Sequence, residues 1–140
     1  MTVDPIRVRR FVGQMNEAQR RLRELGQLAE EEFLADYRNT ESAKYLLIVA
    51  TEAAIDLCNH IVARHQGRPP RDYADCFAVL SELGVITQDL AARLRRMARF
   101  RNLIVHLYWE VDNRRVYQII QSDLGDLDVF QRQVLDWLSL

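Results

Sequence analysis

Lysine is almost missing from this chain. Lys44 is the only one among 140 residues, and the other 18 basic side chains are arginine. Cysteine is scarce as well. Cys58 and Cys76 are too few for a disulfide scaffold or a zinc site, which points to a reducing cytoplasm. Three prolines and five glycines leave little to interrupt regular structure. No apolar run approaches the roughly 18 residues of a membrane span, and the early charges at Asp4 and Arg7 are unlike a secretory signal, so no membrane partner is expected. A formal net charge of −1 excludes a polycation that coats nucleic acid indiscriminately.

What is present is helical periodicity, in a length that suits one domain over residues 1–140. Asp4-Pro5 opens a helix that the pattern Phe11, Met15, Leu22, Leu25, Leu28, Phe33 extends to about Asp36, with Glu30, Glu31 and Glu32 on a solvated face. Asn39-Thr40 reads as a turn and cap before a second helix from about Glu41 to Arg64. Its Leu46-Leu47-Ile48-Val49-Ala50 is apolar nearly all round, so the helix is expected to be buried on more than one side. Gln66-Gly67-Arg68-Pro69-Pro70 breaks the chain, with Gly67 as the expected C-cap. Asp72, with Asp75 in the capping box, starts a short helix ending at Gly84, and Thr87 caps a fourth helix reaching about Trp109. Val116–Ile120 is ambiguous between strand and helix, and a last helix covers about Asp123 to Leu138. The expected fold class is all-α, an antiparallel four-helix-type bundle with additional short helices.

The fourth helix carries the chemistry. Arg101-Asn102-Leu103-Ile104-Val105-His106-Leu107-Tyr108 puts a permanent cation, an amide, an imidazole and a phenol into one stretch. On a helix these four span an arc of about 160°, with Arg101 and Tyr108 about 20° from eclipsed. Phe100, Leu103, Ile104 and Leu107 fall opposite, on the expected packing side. An imidazole can take a proton from a hydroxyl and return one to a leaving oxygen. A neighbouring arginine can grip a phosphate and stabilise charge developing there, and Asn102 can orient the imidazole or bind substrate. Those groups suffice for metal-free RNA cleavage by attack of the ribose 2′-hydroxyl. No carboxylate pair or His/Cys spacing suggests a metal, and no cofactor is expected. Upstream, Arg93, Arg95, Arg96 and Arg99 form a basic stripe. Arg95, Arg96 and Arg99 are candidate RNA phosphate contacts, although two of the four are expected to pair with carboxylates instead. His60 and His65 read as structural, and the roles of Glu52 and Asp56 within the second helix stay open.

The spacing Arg101-(four residues)-His106-Leu107-Tyr108 resembles the R-x4-H-x-Y signature of the HepT toxins, a branch of the HEPN superfamily of helical ribonucleases. Ala53–Ile61, the loop around Gly67–Pro70, Leu83–Ile86, Phe100–Tyr108, Val111-Asp112 and Val116-Tyr117 share the resemblance, which covers most of the chain. It implies a homodimer whose two motifs face one cleft and cut RNA without a metal, as the toxin of a type VII toxin–antitoxin pair. It also implies a partner, an MNT-type nucleotidyltransferase antitoxin that neutralises the toxin by transferring AMP to the motif tyrosine. On that basis Arg101 and His106 are expected to be catalytic, Asn102 supporting, and Tyr108 the AMP acceptor. A dimer also suits the helix geometry, because Arg101 and His106 lie about 140° apart on one helix. The apolar second helix offers surface for the interface. Two alternatives stand beside this: a non-catalytic helical subunit that binds a nucleotidyltransferase, and a plain dimerisation module.

Overall fold

Five helices of this chain begin where an Asp or Thr side chain takes an otherwise unpaired backbone N–H. Asp4 accepts from Ile6, Asp36 from Arg38, Asp72 from Asp75, Thr87 from Leu90 and Asp112 from Arg114, at 2.7–3.2 Å. The computed structural model describes residues 2–140. Its order is α1 (Pro5–Gly26), α2 (Glu30–Ala35), α3 (Tyr37–Arg64), α4 (Tyr73–Glu82), α5 (Gln88–His106), a 3-10 turn (Tyr108–Glu110), α6 (Asn113–Ser122) and α7 (Gly125–Leu138). No strand occurs among the described residues, so the all-α expectation holds and Val116–Ile120 is helix.

α3 is the centre. It packs along α1 on one side and against α4 and α5 on another, with α2 and α6 closing over it. Leu47, Ala50, Ala54, Leu57, Cys58 and Ile61 are buried along its length. By length and apolarity α3 would satisfy a membrane span, contrary to the sequence expectation, but most of that apolar window is covered by its own neighbours. Cys58 and Cys76 are free and buried. The far end of the core is built by Phe77 of α4 meeting Phe130 of α7 edge-on, 5.7 Å between ring centres. A buried amide network joins α1 to α7: Gln19 donates to Asp128 and to the Leu124 carbonyl, and accepts from Gln131.

Three boundaries before α5 differ from the sequence expectation. The first helix does not run to Asp36; it stops at Gly26 and resumes as α2. The break is made by α6, whose Gln121 and Tyr117 donate to the carbonyls of Gly26 and Leu28, both at 2.7 Å. A Cβ at Gly26 would stand 2.7 Å from an Ile120 methyl, so only glycine lets α6 come this close. Second, Asn39-Thr40 is no turn, because Asp36 already caps α3 and the helix includes both residues. Third, the left-handed residue after α3 is Gln66 (φ 55°), not Gly67. Gly67 is needed instead for space, since a Cβ there would lie 3.0 Å from methyls of Val62 and Val79. Gly84 (φ 80°) does play the expected part, ending α4 with Val85 N–H on the Leu80 carbonyl and its own N–H on that of Ser81.

His60 fits its structural reading. It is 4% exposed, and its Nε2 accepts the Asp4 backbone N–H at 3.0 Å, tying the start of α1 to α3. Burial first, then Arg64 and Arg7, hold its pKa below the ordinary 6.5, with Asp4 opposing. The unfolded chain therefore takes up this proton before the folded one does. The stability that neutral His60 contributes is present above about pH 6.5 and is lost as pH falls through the depressed folded value. Thermal melts of His60→Gln should show less loss of stability on acidification below about pH 6.5 than the parent. Phe130→Ala should cost about 3–5 kcal/mol in chemical denaturation, because its ring is fully buried against Phe77.

Candidate functional site

The four motif residues do not lie on one helical face. α5 ends at His106, Leu107 leaves helical geometry (φ −130°, ψ 45°), and Tyr108 begins the 3-10 turn. The periodicity that placed Tyr108 nearly over Arg101 therefore stops one turn too early. The supposed packing side also differs. Ile104 is fully buried and Phe100 half-buried, but Leu103 and Leu107 are exposed, as are Val105 and Trp109.

Arg101 turns inward and is held on three sides. Its Nη2 donates to Glu52 of α3 at 2.5 Å, and its Nη1 donates to the Asn102 side-chain carbonyl at 2.9 Å. Its guanidinium sits 5.0 Å from the centre of the Tyr73 ring, at the start of α4. The side chain is 12% exposed, and its buried Nε has no partner. Such an arginine is fixed in direction before any ligand arrives. This gives Glu52 its role: it is the counter-charge that brings Arg101 down onto α3. Asp56, one turn further, makes no ion pair among the described residues.

Asn102 is therefore committed to Arg101 and makes no hydrogen bond to the imidazole. His106 is exposed at the helix end and takes part in no hydrogen bond or ion pair among the described residues. Its neighbours on the wheel are Arg95, Arg99 and Asn102, spaced i, i+4, i+7 and i+11, which fall within an arc of about 60°. Arg99 and Arg96 are exposed and free of ion pairs among the described residues. Arg95 is half-buried, with its Nε unpartnered. One of the four stripe arginines is neutralised rather than the expected two: Arg93 bridges Asp89 at 2.8 Å and Asp126 at 3.2 Å. Arg96 faces away from the His106 stripe, into a cleft between α3, α5 and α6. That cleft has Met97, Phe100 and Ile104 for its floor and Arg101 and Arg115 at its rim.

Tyr108 folds back onto the start of α3, and its hydroxyl donates to the Glu41 carboxylate. Burial and the Glu41 carboxylate push its phenol up to about 12. Lys44 lies beneath it, 3% exposed, with Nζ 3.4 Å from Glu41 and 4.1 Å from the Tyr108 ring centre. The sequence named neither Glu41 nor Lys44 as part of the site. The sole lysine was a visible signal, but nothing local links residues 41–44 to 108. Among the described residues no three His, Cys, Asp or Glu side chains gather into a metal-binding group.

With this geometry in view, comparisons with known proteins place the chain. A family described as Ribonuclease HepT-like matches residues 15–134. The mRNA nuclease HepT of Shewanella oneidensis is 33% identical over 99 residues, 71% of this chain and 74% of that protein. The tRNA nuclease HepT of Aphanizomenon flos-aquae is 24% identical over 117 residues, covering 84% and 80%. The solved structure of the tri-AMPylated Shewanella oneidensis HEPN toxin in complex with MNT antitoxin superposes with a TM-score of 0.86 at 26% identity, over 93% of this chain and 97% of that one. The family match covers most of the helical frame, and this chain belongs to the HepT-like ribonuclease family.

Proposed function

We propose that this protein is the toxin of a toxin–antitoxin pair, a metal-independent endoribonuclease that works as a homodimer in the cytoplasm. The observation that carries this is a preorganised Arg101 on the same helix end as an exposed, uncommitted His106, in a chain of the HepT-like family. His106 acts as general base toward the ribose 2′-hydroxyl and then as general acid toward the leaving 5′-oxygen. Arg101 stabilises the charge that builds on the phosphorus oxygens. Its fixed guanidinium needs little reorganisation at that moment, which is what makes such a group effective. Asn102 holds Arg101 by its carbonyl and keeps its amide free for substrate. Arg95 and Arg99 flank His106 and track the phosphate backbone, while Arg96 reaches it from the adjoining cleft.

The dimer follows from direction and exposure. Arg101 points to α3 while His106 points to solvent, so two facing copies supply what one does not. Most of the apolar side chains that suggested an interface on α3 are buried inside the monomer. Leu103, Val105, Leu107 and Trp109 are instead 37%, 43%, 46% and 86% exposed around the motif and supply the apolar surface for a second copy. The partner is an MNT-type nucleotidyltransferase, and Tyr108 is its AMP acceptor. The relative solved as an AMPylated toxin with MNT antitoxin supports this assignment. AMP on the phenol adds bulk and negative charge beside the basic stripe, which repels RNA.

Expressed alone, the protein should arrest growth and degrade RNA, and purified dimer should cleave RNA in the presence of a chelator. Arg101→Ala should lower cleavage about 10²–10³-fold and His106→Ala about 10²–10⁴-fold. Alanine variants as toxic as the parent would place the site elsewhere, and tight transferase binding without any RNA cleavage would make the chain a binding subunit instead. Incubated with an MNT transferase and ATP, the protein should gain mass in steps of AMP, and Tyr108→Phe should gain none.

A further inference from the structure

The one lysine of this chain is spent under Tyr108, inside the protein, where no RNA phosphate reaches it. A buried ammonium needs a counter-charge, and Glu41 supplies it. The two carboxylate oxygens of Glu41 divide their partners. Oε1 faces Lys44 Nζ at 3.4 Å, and Oε2 accepts the hydrogen bond of the Tyr108 hydroxyl. Lys44 also lies 4.1 Å from the centre of the Tyr108 ring and 6.0 Å from that of Trp109. The phenol is thus clamped from below by a cation and from the side by a base. An arginine would bring a larger planar head to this position, whereas the ammonium is compact.

We infer that Glu41 is the general base that activates the Tyr108 hydroxyl as a nucleophile toward a nucleoside triphosphate, with Lys44 as the residue that positions Glu41 and the ring. The inference rests on Tyr108 being the nucleotide acceptor. In the transfer, the phenol oxygen forms a bond to the α-phosphorus. The bond from that phosphorus to the oxygen bridging the β-phosphate breaks, and pyrophosphate departs with the bonding electron pair. The phenol proton passes to Glu41 Oε2 and later to water. A base is required here for a simple reason. Even an ordinary phenol, with pKa near 10, is ionised in only about one molecule in 10³ at neutral pH, and burial raises this one further. The proton must therefore leave during attack, and Glu41 is already bonded to it. Lys44 holds that carboxylate in place, and by occupying one face of the ring it leaves the other side for the approach of the phosphorus.

Acetylation by N-acetylimidazole tests the base without any transferase, so its outcome bears on Glu41 alone, while AMP addition to Tyr108 is tested separately. Each tyrosine is followed by peptide mass spectrometry across pH, with the exposed Tyr37 (75% exposed) in the same molecule as the reference. In the parent, the Tyr108 rate should stay level through neutral pH. In Glu41→Gln it should fall at least about tenfold relative to Tyr37 and then climb about tenfold per pH unit toward alkaline pH, as for an unassisted phenol. Glu41→Asp should restore part of the level region. Should Glu41→Gln fold poorly because Lys44 loses its counter-charge, the double variant Glu41→Gln/Lys44→Met keeps the site neutral and is read in the same way. Coinciding pH profiles for parent and Glu41→Gln would overturn the proposal. So would a parent Tyr108 that resists the reagent at every pH, since an acceptor must be reachable by an electrophile.

Discussion

A helix of 28 residues that is apolar on nearly every side cannot stand in water, and the rest of this fold exists to cover α3. α1 takes one flank along most of its length, α4 and α5 take another, and α2 with α6 close the remainder. One strip of α3 stays open or half-open, made of Glu41, Tyr45, Glu52, Asp56 and Asn59 with the half-buried Ile48 and Val49 between them. Burial on the other sides holds that strip rigid. It is the surface on which the motif is assembled.

The candidate site is a set of α5 residues answered by α3 carboxylates. Glu52 draws Arg101 inward, and Glu41 draws Tyr108 back over the end of the helix. Neither partner is close in sequence, and the sequence left the role of Glu52 open. The result separates roles along one short segment. Arg101 is oriented and largely shielded, His106 is free at the helix terminus, and Tyr108 is anchored on Glu41 at the start of α3. A cation fixed by hydrogen bonds stabilises developing charge without first reorganising, whereas a proton-transfer group profits from access. In the proposed dimer, the exposed apolar side chains around His106 are the surface through which a second copy would bring the two kinds of group together.

Much of the frame was legible from local chemistry. The caps at Asp4, Asp72 and Thr87 were readable because an N-cap is decided within three residues, and Gly84 because a left-handed turn favours glycine. The resemblance of Arg101, His106 and Tyr108 to a family signature was readable because it is a spacing. The errors share one cause. The end of α1 at Gly26 is set by Gln121 and Tyr117, which donate to carbonyls about ninety residues away in sequence. The position of Tyr108 was misjudged because a periodic argument cannot see where a helix stops. Asn102 was expected to orient the imidazole or bind substrate, and the imidazole contact is absent because its carbonyl accepts from the adjacent charged guanidinium.

By itself the sequence determined the helical class, the burial of α3, most helix starts and the membership in the HepT-like family. Those depend on residue type and spacing along the chain, which is all that a sequence records. Only the tertiary structure decided which carboxylate meets which cation, that Arg101 is held while His106 is free, and that the single lysine lies beneath Tyr108. Electrostatic pairing acts through space at a few ångströms, and it becomes defined only when α3 and α5 have been packed side by side.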